Sequence, residues 1–356
     1  MKNGSGVLCC RRAAVACTVL CTAFSARAAT TLGQAGSGRT VRIACVGDSI
    51  TAGAGIPQPE INGWPDLIAG KRVMMLGDSI TQDGTYVSFI EYFLQKAYTA
   101  KTFDLINVGL SSETASGLSE PGHAGGSFPR PCVHERLKRA LVAVKPLVVI
   151  ACYGMNDGIY LPVNAERMKA FQDGIAKLAA DCKAAGAQVI LVTPPVFDAK
   201  QATGWNYDQT LSSFAEWEVK NPPQGVVAVI DLHTAMAAAL AERQKTNPDF
   251  HFSADTVHPG HLGHMVMAQA ILKGLAIPMP AGTADELLAG ATADPLFKLV
   301  CQHRETRSAG WLNYIGYTRE RKVEPKTGDI NAVEAKAAEL QQKIDALKKP
   351  HQETTK

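Results

Sequence analysis

The chain alternates short, unbroken apolar runs with longer stretches of helical period. Val73–Leu76, Phe103–Val108, Leu147–Cys152, Gln188–Thr193 and Val226–Ile230 are short and rich in Val, Ile and Leu. That length and composition predict strands buried on both faces. Between them, Thr85–Ala100 places Val87, Ile90, Phe93, Leu94 and Ala97 on one helical face, and Val133–Val144 does the same with Leu137, Leu141 and Val144. Asn164–Ala185 reads as a long helix, with Asn164 as N-cap and Gly186 as its stop. Further helices are predicted over Leu211–Val219, Thr234–Gln244 and His264–Leu275. Strand followed by helix, repeated from 72 to 275, predicts an α/β domain whose parallel sheet is covered on both faces. In such sheets ligands bind beyond the C-terminal ends of the strands.

The flanks differ. Val41–Val46 is one more strand-like run and ends in GDSIT, a pentapeptide that recurs at Gly77–Thr81. Ala52–Gly70 between the copies is rich in Gly and Pro, with at most a helical turn at Trp64–Ile68. Ser111–Pro131 is a long loop of Gly, Ser and Pro, of the length that often carries function. After Pro278-Met279-Pro280 come a helical stretch, Thr283–Cys301, and an aromatic patch of Trp311, Tyr314, Ile315 and Tyr317. Ile330–Lys349 then repeats apolar residues at Ile330, Val333, Ala337, Leu340, Ile344 and Leu347. That seam is under three heptads and reads first as a surface helix docked by its stripe; a homodimer through Ile330–Leu347 is the other use of the same face. The expected organisation is a signal segment over 1–28, a lead-in over 29–71, the α/β domain over 72–280 and a helical C-terminal extension over 281–356.

Composition changes the picture at the N-terminus. Lys2, Arg11 and Arg12 precede the apolar stretch Ala13–Phe24, and Ser25-Ala26-Arg27-Ala28-Ala29 follows. This is the pattern of a secretory signal cleaved after Ala28, which implies a secreted or periplasmic protein. The stretch is too short to span a bilayer, so no integral span is expected after cleavage. Its removal takes away four cations and no acid, leaving 32 basic against 33 acidic residues and turning the formal charge from +3 to −1. The apparent basicity belongs to the leader, and no nucleic-acid footprint remains. Five cysteines then persist: Cys45, Cys132, Cys152, Cys182 and Cys301. They are odd in number and contain no CxxC. Cys45 and Cys152 read as buried thiols, and a bridge from Cys132 or Cys182 to Cys301 is the remaining disulfide reading.

Four polar features mark the strand ends. Acyl transfer needs a serine, a base, a group that orients the base, and donors for an oxyanion. Asp255-Thr256-Val257-His258 puts a carboxylate and an imidazole three residues apart, so Asp255 can fix the His258 tautomer and leave Nε2 as base. Ser79 sits on a turn at a strand end, Gly109 offers an N–H with no side chain in the way, and Asn156 offers an amide from a third strand end. Each is weak alone; the four in this order are specific.

The four segments Gly77–Thr81, Asn107-Val108-Gly109, Gly154-Met155-Asn156-Asp157 and Asp255–His258 resemble the sequence blocks of the SGNH hydrolases, also called the GDSL esterase/lipase family. The similarity spans about 72–275. It implies a flavodoxin-like three-layer α/β/α fold and ester hydrolysis without metal or cofactor. Position by position it makes Ser79 the nucleophile, His258 the base and Asp255 its partner, with Gly109, Asn156 and the Ser79 N–H as oxyanion hole. The turn is not G-x-S-x-G, so the nucleophile elbow of the α/β-hydrolases is absent. Only the second GDSIT is followed by a complete strand–helix–strand unit, which favours Ser79 over Ser49.

Other polar residues have plainer readings. His258, His261 and His264 have zinc-like spacing, but successive steps of three drift around a helix and no Cys or Glu completes the set. Asp157 and Asp78 read as ties for their own turns. Glu113, His123 and Arg130, in or beside the long loop, are candidate contacts for a leaving group or sugar. Trp205 and Tyr207 either stack on a sugar or pack on the next helix. The expected substrate is a small-molecule or polysaccharide ester, first an O-acetyl group on carbohydrate. A lipid esterase, lysophospholipase or thioesterase is the alternative enzyme, and a silent carbohydrate-binding protein on the same fold is the non-enzymatic one.

Overall fold

The computed structural model describes residues 64–199 and 205–348. The signal segment, Cys45 and the first GDSIT with Ser49 lie outside the described residues. Five parallel strands form one sheet: β1 (Arg72–Gly77), β2 (Asp104–Asn107), β3 (Val148–Cys152), β4 (Gln188–Val192) and β5 (Val226–Ile230), in the order β2-β1-β3-β4-β5. This is the flavodoxin-like order, whose switch point lies between β1 and β3. Each of the five strands predicted from residue 72 onward is present, differing by at most one residue at either end, while the run Val41–Val46 lies outside the described residues. β1, β3 and β4 are buried almost throughout, which explains their continuous apolar runs.

The first crossover steps one way across the sheet and the next three step the other way. Right-handed crossovers therefore put the first helix on one face and the next three on the opposite face. On the first face Thr85–Ala97 packs on His261–Gly274. On the other, Val133–Val144 packs on Ala165–Ala184, and Phe171 stacks on Phe214 of Asp208–Lys220 with ring centroids 4.1 Å apart. Asn164 caps its helix through the Arg167 N–H, as its sequence position predicts.

The C-terminal part is built into the same core. The predicted helix Thr283–Cys301 is two helices, Ala284–Ala293 and Pro295–Ile315, because Pro295 starts a new one with Asp294 as its cap. Thr283 and Glu286 form a reciprocal capping box on the first. Pro295–Ile315 lies against Thr85–Ala97 and β2, the edge strand among the described residues, where Arg307 donates to the Leu105 carbonyl. Ile330–Lys348 packs on it in turn, with Ala337, Leu340 and Ile344 buried. The middle of that apolar stripe is buried within the chain, as the surface-helix reading expects, while Leu347 at its end stays exposed. The disulfide reading is also corrected: Cys132, Cys152, Cys182 and Cys301 are free thiols. Among the described residues no helix is long and apolar enough to cross a membrane.

Candidate active site

Ser79 opens a one-turn helix, Ser79–Asp83, directly beyond β1. Two close approaches fix that turn. A Cβ on Gly77 would stand 2.3 Å from Thr81 Oγ1 and 2.6 Å from the Cys152 carbonyl, so only glycine fits. Asp78 caps the turn by accepting the Ile80 N–H at 3.0 Å. Burial pushes the Asp78 carboxyl up to about 7, against the lowering effect of that bond.

His258 and Asp255 come from the loop ahead of the helix His261–Gly274. His258 Nε2 lies 2.8 Å from Ser79 Oγ, and His258 Nδ1 lies 2.6 Å from Asp255 Oδ2. Asp255 Oδ1 accepts the N–H groups of Val257 and His258 at 3.0 and 2.7 Å. Burial disfavours the Asp255 charge, but the His258 side chain and these N–H groups outweigh it and hold the carboxyl below the ordinary range. Thr256 between them is left-handed, with φ 71°. The turn is held both locally, by the Thr256 N–H on the Ser253 carbonyl, and from a distant segment. The Thr256 carbonyl accepts the Asp198 N–H at 2.9 Å, while the Asp198 carboxylate accepts the N–H groups of Phe252 and Ser253 and meets His251 Nδ1 at 2.9 Å. Asp198 is the residue the sequence reading missed. It lies more than fifty positions away, and nothing local marks it as a clamp.

Asn156 sits beyond β3 and is buried. Its Oδ1 accepts from Arg130 Nη1 at 2.8 Å and Tyr160 Oη at 3.3 Å, and its Nδ2 donates to the Glu113 carbonyl at 3.2 Å. Asp157 ties its own turn through the Gly154 N–H, as its plainer reading predicts, and its carboxylate also accepts the N–H groups of Ala115 and Ser116 in the long loop. Glu113 is wholly buried and forms a two-pronged pair with Arg136, both bonds at 2.6 Å, and accepts Tyr153 Oη at 2.6 Å. Glu113 is therefore a structural anchor of the long loop and not a contact for a sugar.

Gly109 lies beside the serine turn. Its N–H donates to Asn107 Oδ1 at 3.0 Å, so it is already engaged. A Cβ there would stand 2.3 Å from the Gln82 backbone nitrogen, and this close approach to the serine helix is what demands glycine. Asn107 completes the contact by donating to the Thr81 carbonyl at 2.6 Å. The backbone donor left free in this segment is Ser112, whose N–H has no partner among the described residues. Ser112 is left-handed at φ 67°, and Arg130 Nη1 lies 3.5 Å from its carbonyl, next to Asn156. The sequence hides this, because a serine does not advertise positive φ.

The remaining histidines of the H-x-x-H-x-x-H run part company. His261 is exposed, while His264 is buried, stacked on Tyr86 with its Nε2 3.3 Å from Asp83. Among the described residues no group of three or more His, Cys, Asp or Glu is arranged to hold a metal ion. Tyr207 is buried against Tyr160 at 4.7 Å, and Trp205 is exposed beside it. The site itself is open: the His258 and Asp255 side chains keep 50% and 56% of their accessible surface.

The sequence model of the GDSL-like lipase/acylhydrolase family matches residues 75–266. The chain belongs to this family. It is accordingly a carboxylic ester hydrolase, with the three-layer fold expected of an SGNH hydrolase. An acetylxylan esterase of Geobacillus stearothermophilus is 24% identical over 231 residues, covering 58% of this chain and 94% of that enzyme. A crystal structure of that organism's acetylxylan esterase Axe2 matches with a TM-score of 0.45 and 20% identity, over 60% of this chain and 98% of that one. A gut microbial diltiazem-metabolizing enzyme matches with a TM-score of 0.44 and 21% identity over 58% of this chain; the chain spans 47% of that enzyme's length.

Proposed function

We propose that this SGNH/GDSL hydrolase removes O-acetyl groups from carbohydrate by a two-step acyl transfer on Ser79. The observation that carries the reading is the continuous relay from Ser79 Oγ through His258 to Asp255, with steps of 2.8 and 2.6 Å. Ser79 Oγ attacks the ester carbonyl and His258 Nε2 takes its proton. Asp255 holds the imidazole tautomer and stabilises the imidazolium. His258 then protonates the departing alcohol, and water activated by the same Nε2 releases acetate from Ser79.

The oxyanion of each tetrahedral intermediate is met by the Ser79 N–H, the Asn156 amide and a third N–H. Gly109 was the expected source, but its N–H is held by Asn107, and the free N–H of Ser112 takes the role. Removing one such donor typically costs roughly 100- to 1,000-fold in rate.

An acetyl group on a carbohydrate is supported by two observations. The half-exposed His258 and Asp255 leave room for a bulky leaving group, and a curated relative of the same family is an acetylxylan esterase. The leader over residues 1–28 supports action outside the cytoplasm.

The test compares p-nitrophenyl acetate with a longer-chain ester, using the wild-type protein and Ser79→Ala, followed by acetate release from acetylated xylan, pectin and sialic acid. Preference for the acetyl ester, release from at least one glycan, and loss of both in Ser79→Ala are expected. Faster cleavage of the longer chain would point to the lipid-esterase alternative, and no hydrolysis at all to a binding protein. Persistent activity in Ser79→Ala would overturn the assignment of the nucleophile.

A further inference from the structure

We infer that Arg130 is a positioning residue for the Asn156 amide, and this rests on the reading of Asn156 as an oxyanion donor. A free amide can present either its oxygen or its nitrogen to a ligand. Here both acceptor sites of Asn156 Oδ1 are filled, by Arg130 Nη1 at 2.8 Å and Tyr160 Oη at 3.3 Å. One Nδ2 hydrogen goes to the Glu113 carbonyl at 3.2 Å. Reversing the amide would set its NH₂ against a guanidinium and its oxygen against a carbonyl. The amide therefore has one orientation, with one N–H left to donate.

The guanidinium is itself fixed. Arg130 Nε and Nη2 each donate to Glu120 at 2.6 Å, a two-pronged pair in which the arginine side chain is only 6% exposed. Its carbon lies 5.4 Å above the Tyr160 ring, and its backbone N–H donates to Ser119 Oγ at 2.9 Å. These partners occupy the fork, which argues against a direct contact with substrate. A cation on Oδ1 also polarises the amide, so its free N–H becomes a stronger donor to a developing negative charge. Arg130 thus acts through Asn156, and its effect falls on the transition state, where the oxyanion exists, and not on ground-state binding.

The experiment is a double-mutant cycle on p-nitrophenyl acetate, with kcat and KM for wild type, Arg130→Met, Asn156→Ala and the double variant. Arg130→Met is expected to lower kcat about 10- to 100-fold, short of losing a whole donor, with KM changed less than about twofold. In the Asn156→Ala background the same change is expected to lower kcat by less than about threefold, because coupled residues are not additive. Arg130→Lys, run through the same cycle, keeps a cation in the loop and is expected to restore part of the rate; it also carries the test if Arg130→Met does not fold. Equal losses in both backgrounds would overturn the inference, as would a raised KM with unchanged kcat. If Asn156→Ala leaves kcat intact while Ser79→Ala abolishes it, the donor role and this inference fall but the nucleophile stands.

Discussion

Ser79 Oγ and His258 Nε2 lie 2.8 Å apart across 179 positions of sequence. Each partner is held by a different device. The serine stands on a turn wedged between Gly77 and Gly109, and the histidine rides a loop that Asp198 fastens to the segment following β4. Both devices rest on residues that take no part in the proposed chemistry: close backbone approach at the two glycines, and the Asp198 carboxylate on backbone N–H groups.

Asp198→Ala removes the acceptor for the Phe252 and Ser253 N–H groups while leaving every triad atom in place. Buried donors left without a partner cost about 1–3 kcal/mol each. A displacement of about 1 Å at a catalytic group can cost roughly 100-fold. The variant is expected to melt earlier and to lose about 10- to 100-fold in kcat, read by thermal denaturation and ester kinetics together.

Asp255→Asn keeps the shape of the side chain but removes its charge and its preference for a donor at His258 Nδ1. A fall of about 10⁴-fold in kcat is expected for a triad carboxylate that sets the tautomer. Stability is expected to move little, because the residue is largely exposed. A loss below tenfold would mean that His258 is oriented by something else.

Gly109 and Ser112 separate packing from chemistry. Gly109→Ala drives a methyl into the Gln82 backbone, which cannot yield as a flexible side chain could. A destabilisation of about 1–3 kcal/mol with displaced serine chemistry is expected. Ser112→Gly keeps the N–H and relieves the left-handed backbone, so unchanged kcat and a gain of up to about 1 kcal/mol are expected. A large rate loss in Ser112→Gly would assign the function to the hydroxyl.

His264 makes stability depend on pH. Burial lowers its pKa to about 4, against the raising effect of Asp83, while His261, Arg304 and His258 add to the lowering. A folded-state value below the unfolded 6.5 contributes stability above pH 6.5 that is lost as pH falls toward 4. The loss is on the order of 3 kcal/mol over that window. His264→Phe keeps the stack on Tyr86 and is expected to flatten the fall of Tm between pH 6.5 and 4. An unchanged slope would remove His264 from the account.

Arg304 ties the C-terminal part to the serine turn. It donates to the carbonyl of Asp83, the last residue of the helix that Ser79 begins, at 2.6 Å, and to Ser88 Oγ in the next helix at 3.0 Å. Arg304→Met removes the donor from the Asp83 carbonyl and one partner from Ser88 Oγ, and a loss of about 1–3 kcal/mol is expected. A drop in kcat with little change in KM, measured below the melting range, would place the effect on the serine turn.

Strand runs, helix periods and the Asn164 cap could be read from neighbours in the chain, because burial on both faces demands unbroken apolar runs and a helix demands its own spacing. The strand order, and with it the switch point, followed only from the observed pairing. The same division holds at the site. Ser79, Asp255, His258 and Asn156 each carried a local signal, a polar group at a strand end or three residues from a partner. Asp198 and Arg304 carried none and Arg130 only its place in the long loop, since the partners that fix them are 10 to 221 positions away and a carboxylate or guanidinium looks alike in sequence whether solvated or clamped. Gly109 shows the limit most clearly. Sequence marked a glycine where no side chain is tolerated, and only packing showed that the space is claimed by the Gln82 backbone. The free N–H belongs to a serine three residues on, whose φ of 67° is set by the loop it closes.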